Sequence, residues 1–127
     1  MPTRTITSAN LDSTILENDI VILDFWAAWC GPCRTFAPVF EAASETHPDV
    51  VFGKVDTEAE QDVAAAFGIR SIPTVAIFRE KVLLFSQPGA LPAPALHEVL
   101  GKVKALDMTA VHAEVAQQQA AAESGEA

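Results

Sequence analysis

Residues 20–33 read IVILDFWAAWCGPC, and this stretch decides the fold class of the chain. The first seven residues form a nearly continuous apolar run, which is typical of a central β-strand covered on both faces. A helix follows from about residue 33 to residue 47, because its apolar residues recur at helical spacing. The stretch therefore predicts a buried strand, a cysteine pair at its carboxyl end, and a helix that begins at this pair.

Strand and helix patterns alternate along the rest of the chain, in the order β-α-β-α-β-α-β-β-α. The other predicted strands cover residues 3–7, 50–56, 74–78 and 82–86, and the other helices cover residues 11–17, 58–67 and a segment opened by Pro92 and Pro94. Such alternation predicts an α/β fold with parallel βαβ units: a central mixed β-sheet flanked by helices on both faces. The last two strands are joined most simply as a hairpin, which adds an antiparallel edge.

The composition changes after residue 107. Residues 1–107 are predicted to form one domain, and residues 108–127 an Ala/Gln/Glu-rich extension that is frayed or helical. Val111 and Val115 form a thin apolar stripe at i,i+4 spacing. The extension is therefore either a frayed helical tail or a helix that docks on the domain or on a second chain.

Length and charge exclude several classes of protein. A chain of 127 residues has the length of a single domain. The formal net charge of −9 opposes binding to nucleic acid or to an anionic membrane surface, because phosphates repel it. No apolar run is long enough to span a bilayer, and the first ten residues lack the apolar core of a secretory signal. We expect a cytoplasmic protein.

The two cysteines lie at a spacing that suits redox chemistry. Residues three apart are neighbours in the first turn of a helix, so Cys30 and Cys33 can open and close a disulfide with little backbone motion. The positive end of the helix dipole favours a thiolate at Cys30. We predict that Cys30 is exposed and attacks a substrate, whereas Cys33 is buried and resolves the intermediate.

Two other interpretations of the pair remain open. The cysteines are inert buried thiols in one, and half of a structural zinc site in the other. His47, His97 and His112 are scattered and have no ligand spacing, so we predict no metal site.

Asp24 is unusual because it interrupts the apolar run. A buried, unpaired carboxylate is costly, so the pKa of Asp24 should rise, and the group could then take a proton from a buried thiol. Lys54, in the middle of the second central strand, is the natural partner for Asp24. The alternative is an aspartate that faces solvent and an ordinary surface lysine.

Four elements together resemble the thioredoxin family: DFWAAWCGPC at residues 24–33, Pro38, GIRSIPT at residues 68–74, and Gly89-Ala90. They occur in the family's order and spacing, over roughly residues 3–106. The resemblance implies the thioredoxin fold and a protein disulfide reductase that works by dithiol/disulfide exchange without a bound cofactor. The Trp-Cys-Gly-Pro-Cys sequence looks like the reducing branch of the family, with Cys30–Cys33 as its redox-active disulfide.

The resemblance also implies a set of site residues. It matches Asp24 to the family's buried aspartate and Lys54 to the lysine beside it, and it implies a cis Ile72–Pro73 bond. It further implies a groove for an extended substrate segment, formed by Trp29, Gly31, Pro32, Ser71, Ile72, Pro73 and Gly89. One departure is the turn at Arg79-Glu80-Lys81, which lacks the glycine that the family often has.

The partners implied by the resemblance are client proteins that contain disulfides and an NADPH-dependent flavoprotein thioredoxin reductase. We expect a monomer, with the extension as a site for association. A different class of function remains open: a redox-independent docking subunit or holdase that uses the fold and the C-terminal tail.

Overall fold

The computed structural model describes residues 2–123, so Met1 and the last four residues of the predicted extension lie outside the described part. The strands are β1 (Thr3–Thr5), β2 (Ile20–Trp26), β3 (Val51–Asp56), β4 (Thr74–Arg79) and β5 (Val82–Pro88). The helices are α1 (Leu11–Glu17), α2 (Gly31–Thr46), α3 (Gln61–Ala66), α4 (Ala93–Ala105) and α5 (Met108–Glu123). None of these helices is long and apolar enough to cross a membrane.

The five strands form one mixed sheet in the order β1-β3-β2-β4-β5. β1, β3 and β2 are parallel, whereas β4 runs antiparallel to β2 and β5 antiparallel to β4. β2 therefore lies at the centre of the sheet, as its apolar run predicts. The predicted antiparallel hairpin at the edge is confirmed.

The side chains of β2 alternate between two apolar layers. Ile20 and Ile22 pack with Phe36 and Phe40 of α2, and α4 completes this layer. Val21, Leu23 and Phe25 belong to the opposite layer, where side chains of α1 and α3 cover the sheet. Because both faces of the strand are covered, an apolar residue is favoured at every position, and the exception at Asp24 stands out.

Several predicted boundaries differ from the structure by one to three residues, and two of these differences have a clear physical reason. α2 begins at Gly31 instead of residue 33, since Cys30 caps the helix and Pro32 fits its first turn. β5 continues through Pro88 instead of ending at residue 86, and Pro88 pairs with Thr74. A proline is tolerated there because β5 is an edge strand, whose outer side needs no N–H donor.

The β4–β5 turn forms without glycine. Glu80 and Lys81 have φ angles of 49° and 72°, so both central residues of the two-residue loop lie in the left-handed region. This backbone matches the primed hairpin turns, whose twist suits the flanking strands but which usually contain Asn or Gly. The turn thus has this geometry with Glu80 and Lys81 in place of Asn and Gly.

The extension is helical as far as the structure describes it, and its first half packs on the domain. Met108 is buried, Val111 and Val115 are half-buried, and His112 Nε2 lies 2.8 Å from Glu80 Oε1. Residues 116–123 are all exposed. Within residues 108–123, the helix therefore docks through its first two turns and projects from the domain beyond them.

Replacement of Asp107 by alanine should loosen this helix. Asp107 Oδ1 accepts hydrogen bonds from the backbone N–H groups of Thr109, at 3.0 Å, and Ala110, at 3.3 Å. Loss of such a cap costs about 1 kcal/mol, so amide hydrogen exchange in α5 should become about fivefold faster. Asp107→Asn keeps an acceptor and serves as the control. Unchanged exchange in the alanine variant would show that packing alone holds the helix.

Candidate active site

The cysteine pair lies where the central strand meets α2. β2 ends at Trp26, a short connection follows, and Cys30 is the N-terminal cap of the helix. Its Sγ accepts a hydrogen bond from the backbone N–H of Cys33 at 3.2 Å. Cys30 and Cys33 form a disulfide, with their Cα atoms 5.2 Å apart. The sulfur of Cys30 thus lies at the positive end of the helix dipole, which stabilises negative charge there.

The prediction that Cys30 is exposed is wrong for the disulfide form. Only 4% of Cys30 is accessible, close to the 3% of Cys33, whose burial was predicted correctly. The disulfide packs against Ala27, Trp26 and Ile72, and Cys30 Sγ lies 3.6 Å from the Ile72 carbonyl oxygen. The sequence places Cys30 at an element boundary but does not show that another loop covers it.

Two separate cavities distinguish the cysteines. Cys30 lines an open groove of about 400 Å³, and Cys33 lines a second cavity of about 270 Å³. Besides Cys30, the groove is lined by Trp29, Gly31, Pro32, Thr57, Ala64, Ile69, Arg70, Ser71 and Ile72. Trp29 is 67% exposed, as its predicted contact with a substrate segment requires. Five of the seven residues predicted for substrate binding thus line one groove.

The other two predicted groove residues, Pro73 and Gly89, do not line this cavity but contact each other beside it. The Ile72–Pro73 bond is cis, as the resemblance implied. Gly89 donates its backbone N–H to the Pro73 carbonyl oxygen at 2.8 Å. Gly89 has a φ of 108°, and an added Cβ would meet nothing within 4 Å. Glycine is therefore needed here for its backbone conformation.

Asp24 is buried beside Cys33. Its residue is 1% accessible, both residues line the second cavity, and neither carboxylate oxygen of Asp24 has a hydrogen-bond partner among residues 2–123. Burial raises the pKa of Asp24 to about 7. The positive charge of Lys54 lowers this pKa, and the negative charge of Glu41 raises it. The solvent-facing alternative is excluded, and the carboxyl group titrates near neutral pH.

Lys54 lies directly opposite Asp24 in the β2–β3 register, yet its ion pair is with a different residue. Its Nζ lies 3.8 Å from Glu41 Oε1 and 5.4 Å from the centre of the Trp26 ring. Thr3 donates its hydroxyl to the Glu41 carboxylate, at 3.1 and 3.2 Å from the two oxygens. The sequence predicted Asp24 as the partner of Lys54 because it shows strand neighbours but not which helical side chain reaches them.

Two of the scattered histidines meet at the C-terminal end of α2. His47 Nε2 and His97 Nδ1 are 2.8 Å apart, and Lys104 Nζ lies 2.9 Å from His47 Nδ1. Burial and the neighbouring Lys104 ammonium lower the pKa of His47. Within residues 2–123, no group of three or more His, Cys, Asp or Glu side chains is placed to hold a metal ion.

Sequence reasoning missed several residues of the site. Thr57, Ala64, Ile69 and Arg70 line the groove, and Glu41 binds Lys54. Thr57 had a signal, because it follows β3, whose carboxyl end meets the same edge of the sheet as that of β2. Ile69 and Arg70 lie in the GIRSIPT stretch and directly precede Ser71, a predicted groove residue. Glu41 gave no signal, since a glutamate on an amphipathic helix ordinarily faces water.

The thioredoxin family model matches residues 2–102 of this chain. The chain belongs to the thioredoxin family. It is 56% identical over 117 residues to a protein named putative thioredoxin 2 from Streptomyces coelicolor, covering 92% of this chain and 87% of the relative. It is 45% identical over 103 residues to a thioredoxin from Alicyclobacillus acidocaldarius, covering 77% of this chain and 98% of the relative.

Solved thioredoxin structures show the same fold. A Plasmodium falciparum thioredoxin superposes with a TM-score of 0.74 at 36% identity, over 79% of this chain and 98% of its own. A mutant thioredoxin from Halobacterium salinarum gives a TM-score of 0.75 at 31% identity, over 80% of this chain and 90% of its own. The predicted fold class is therefore confirmed.

Family membership and the cysteine pair at disulfide distance settle the class of activity. The chain is a thiol–disulfide oxidoreductase of the thioredoxin type, with disulfide reductase activity. Thioredoxins need no cofactor for this exchange, and the family implies disulfide-containing client proteins and a thioredoxin reductase as partners. The alternative of a redox-independent docking subunit or holdase is not favoured.

Proposed function

We propose that the chain reduces protein disulfides by attack through Cys30 and resolution through Cys33. The observation that carries this assignment is the pair of cavities: Cys30 opens to the groove, where a client segment has room, and Cys33 opens to the other cavity beside Asp24. An attacking sulfur must reach the client, whereas a resolving sulfur has only to reach Cys30.

The exchange takes two steps. The Cys30 thiolate attacks one sulfur of the client disulfide, so that an S–S bond forms between Cys30 and the client, and the other client sulfur leaves as a thiolate that takes up a proton. The Cys33 thiolate then attacks Cys30 Sγ, and the second client sulfur leaves as a thiolate that takes up a proton. Two electrons pass to the client, and the Cys30–Cys33 disulfide is formed.

The role proposed for Asp24 is to take the proton from the Cys33 thiol. A general base works best when its pKa lies near the operating pH, and burial raises that of Asp24 to about 7. The two groups line the same cavity, whose volume of about 270 Å³ exceeds that of a water molecule. A water in that cavity can carry the proton between them. Lys54 contributes its charge, which keeps the pKa of Asp24 from rising further.

The groove is proposed to hold an extended client segment. Trp29, Gly31, Pro32, Ser71 and Ile72 line its surface next to Cys30. Pro73 and Gly89 lie next to it, at the ends of β4 and β5 that are nearest to the dithiol.

The partners, location and domain limits belong to the same proposal. An NADPH-dependent flavoprotein is proposed as the reductase, and the cytoplasm as the location. The domain of residues 1–107 is supported by the family match to residues 2–102, and the extension of residues 108–127 by the separate helix that begins at Met108. The match of 117 residues with the Streptomyces coelicolor relative exceeds the domain, so part of the extension is shared.

The reduction potential of Cys30–Cys33 tests the function. We expect a value of about −270 mV against a glutathione or dithiothreitol buffer, as for thioredoxin, and the dithiol form should reduce a disulfide-containing protein. Asp24→Asn, measured in parallel, should slow dithiol turnover. A potential above about −200 mV would indicate an oxidant or isomerase instead. A pair that does not cycle at all would overturn the enzymatic function and favour a holdase or docking role.

A further inference from the structure

Glu41 affects the electrostatic surroundings of Asp24 through Lys54, the neighbour of Asp24 in the sheet. Asp24 and Lys54 are Cα partners on adjacent strands, and yet the Asp24 oxygens have no hydrogen-bond partner among the described residues. The ammonium of Lys54 instead lies against the Glu41 carboxylate, at 3.8 Å, and over the Trp26 ring. The lysine nearest to Asp24 in the sheet is thus directed to a different carboxylate.

We propose that Glu41 is a positioning residue: its carboxylate holds the Lys54 ammonium away from Asp24, so that the Asp24 carboxyl group makes no direct ion pair with Lys54 in the cavity that both line with Cys33. This inference rests on the role proposed above for Asp24. Glu41 acts through Lys54, and neither touches a cysteine.

Glu41 is itself fixed from two sides. It lies on α2, the helix that carries Cys33, and both of its carboxylate oxygens accept the Thr3 hydroxyl from β1. Its side chain is 35% exposed and that of Lys54 is 24% exposed, so the pair is only partly screened by water. A carboxylate that is anchored by a neighbouring strand competes better for a flexible lysine than one that is free to move.

The other charged groups around the cavity do not compensate Asp24. Arg34 lines the same cavity, but its Nη1 donates to the Ala28 carbonyl oxygen at 2.8 Å. Apart from Asp24, Cys33 and Lys54, the remaining lining residues carry no charge: Trp26, Ala27, Ala28 and Ala37. Lys54 is therefore the cation whose position decides how the carboxyl group titrates.

The test is the titration midpoint of the Asp24 carboxyl carbon, followed by NMR in the oxidised protein. Glu41→Gln should lower this midpoint by about one pH unit or more, because an opposite charge within hydrogen-bonding reach of a carboxylate has an effect of that size. Glu45→Gln, which removes an exposed carboxylate one turn further along α2, is the control for net charge and should leave the midpoint unchanged. Equal midpoints in the wild type and in Glu41→Gln would overturn the inference.

A double-mutant cycle separates positioning from direct repulsion between the two carboxylates. In a Lys54→Met background, Glu41→Gln should lower the Asp24 midpoint by less than half as much as it does with Lys54 present. An equal shift in both backgrounds would show that Glu41 acts on Asp24 directly, and would overturn the inference.

The release of client from a mixed disulfide distinguishes this inference from the function on which it rests. In Glu41→Gln the pH profile of that release should move down together with the Asp24 midpoint. A midpoint that moves while the release profile stays in place would refute the proposed role of Asp24, and would leave the positioning of Lys54 supported.

Discussion

Replacement of Cys33 by serine should stop turnover and leave client proteins covalently bound to Cys30. The serine hydroxyl cannot attack Cys30 Sγ to displace the client, so the mixed disulfide persists after the first step. Steady-state reduction of a disulfide-containing protein should fall on the order of a thousandfold or more, since the remaining route is slow attack by an external thiol. Non-reducing electrophoresis of the purified variant, mixed with an oxidised client, detects the adduct.

Cys30→Ser is the matched control for this experiment. It should lose turnover to the same extent but form no adduct, because Cys33 lines the second cavity instead of the groove. Adducts formed through Cys33 in that variant would contradict the assigned order of attack. Full activity of either serine variant would contradict dithiol exchange altogether.

Asp24→Asn should stabilise the protein at neutral and alkaline pH. The pKa of Asp24 rises from 3.8 to about 7 on folding, so the folded state holds a proton that the unfolded chain releases. Below about pH 4 the carboxyl group is protonated in both states and has no pH-dependent cost. Stability is lost as the pH rises toward 7, and above that the wild type carries a penalty of about 4 kcal/mol. The neutral amide of the Asp24→Asn variant carries no such penalty.

Denaturant unfolding of the oxidised protein from pH 4 to pH 9 measures this difference, since disulfide-bonded cysteines do not titrate. The wild type should become less stable between about pH 4 and pH 7 relative to Asp24→Asn, and the two curves should run parallel above this range. Asp62→Asn removes an exposed carboxylate of α3 and should change stability by no more than about 0.5 kcal/mol. Parallel curves for Asp24→Asn and the wild type at every pH would show that the carboxyl group is solvated.

If Asp24→Asn is both more stable and slower in turnover than the wild type, the Asp24 carboxylate serves the chemistry and lowers the stability of the folded state. Its neighbours in β2 are fully buried apolar side chains such as Leu23 and Phe25. An uncompensated acid among them is the kind of local inconsistency that marks a functional position.

The elements that depend on local sequence were predictable. The apolar run of β2 was covered on both faces as predicted, because side-chain alternation in a central strand requires it. The helix after the cysteines and the edge hairpin also followed from spacing and turn composition. Their boundaries differ by a few residues, since Cys30 caps α2 and an edge strand can accept Pro88.

The features that depend on contacts between distant segments were not predictable from spacing alone. The burial of Cys30 comes from a loop 42 residues away. The pairing of Lys54 with Glu41, and not with Asp24, depends on which side chain of α2 points to β3. A periodic pattern indicates which face of a helix is polar, but it does not indicate which polar group lies beside another. The cis bond at Pro73 was predictable only through resemblance to a family.

Because β4 runs antiparallel to β2, it begins near the dithiol and ends at the opposite end of the sheet. Its first residue, Thr74, pairs with Phe25 near the dithiol, and its last, Arg79, pairs with Ile20 at the opposite end of the sheet. Six residues of extended chain span about 20 Å, so the exposed amine of Lys81 lies roughly that far from the reactive sulfurs. A bead or an electrode coupled through this amine would leave the groove facing solution. The β4–β5 turn is thus a natural attachment point for an affinity matrix that captures clients.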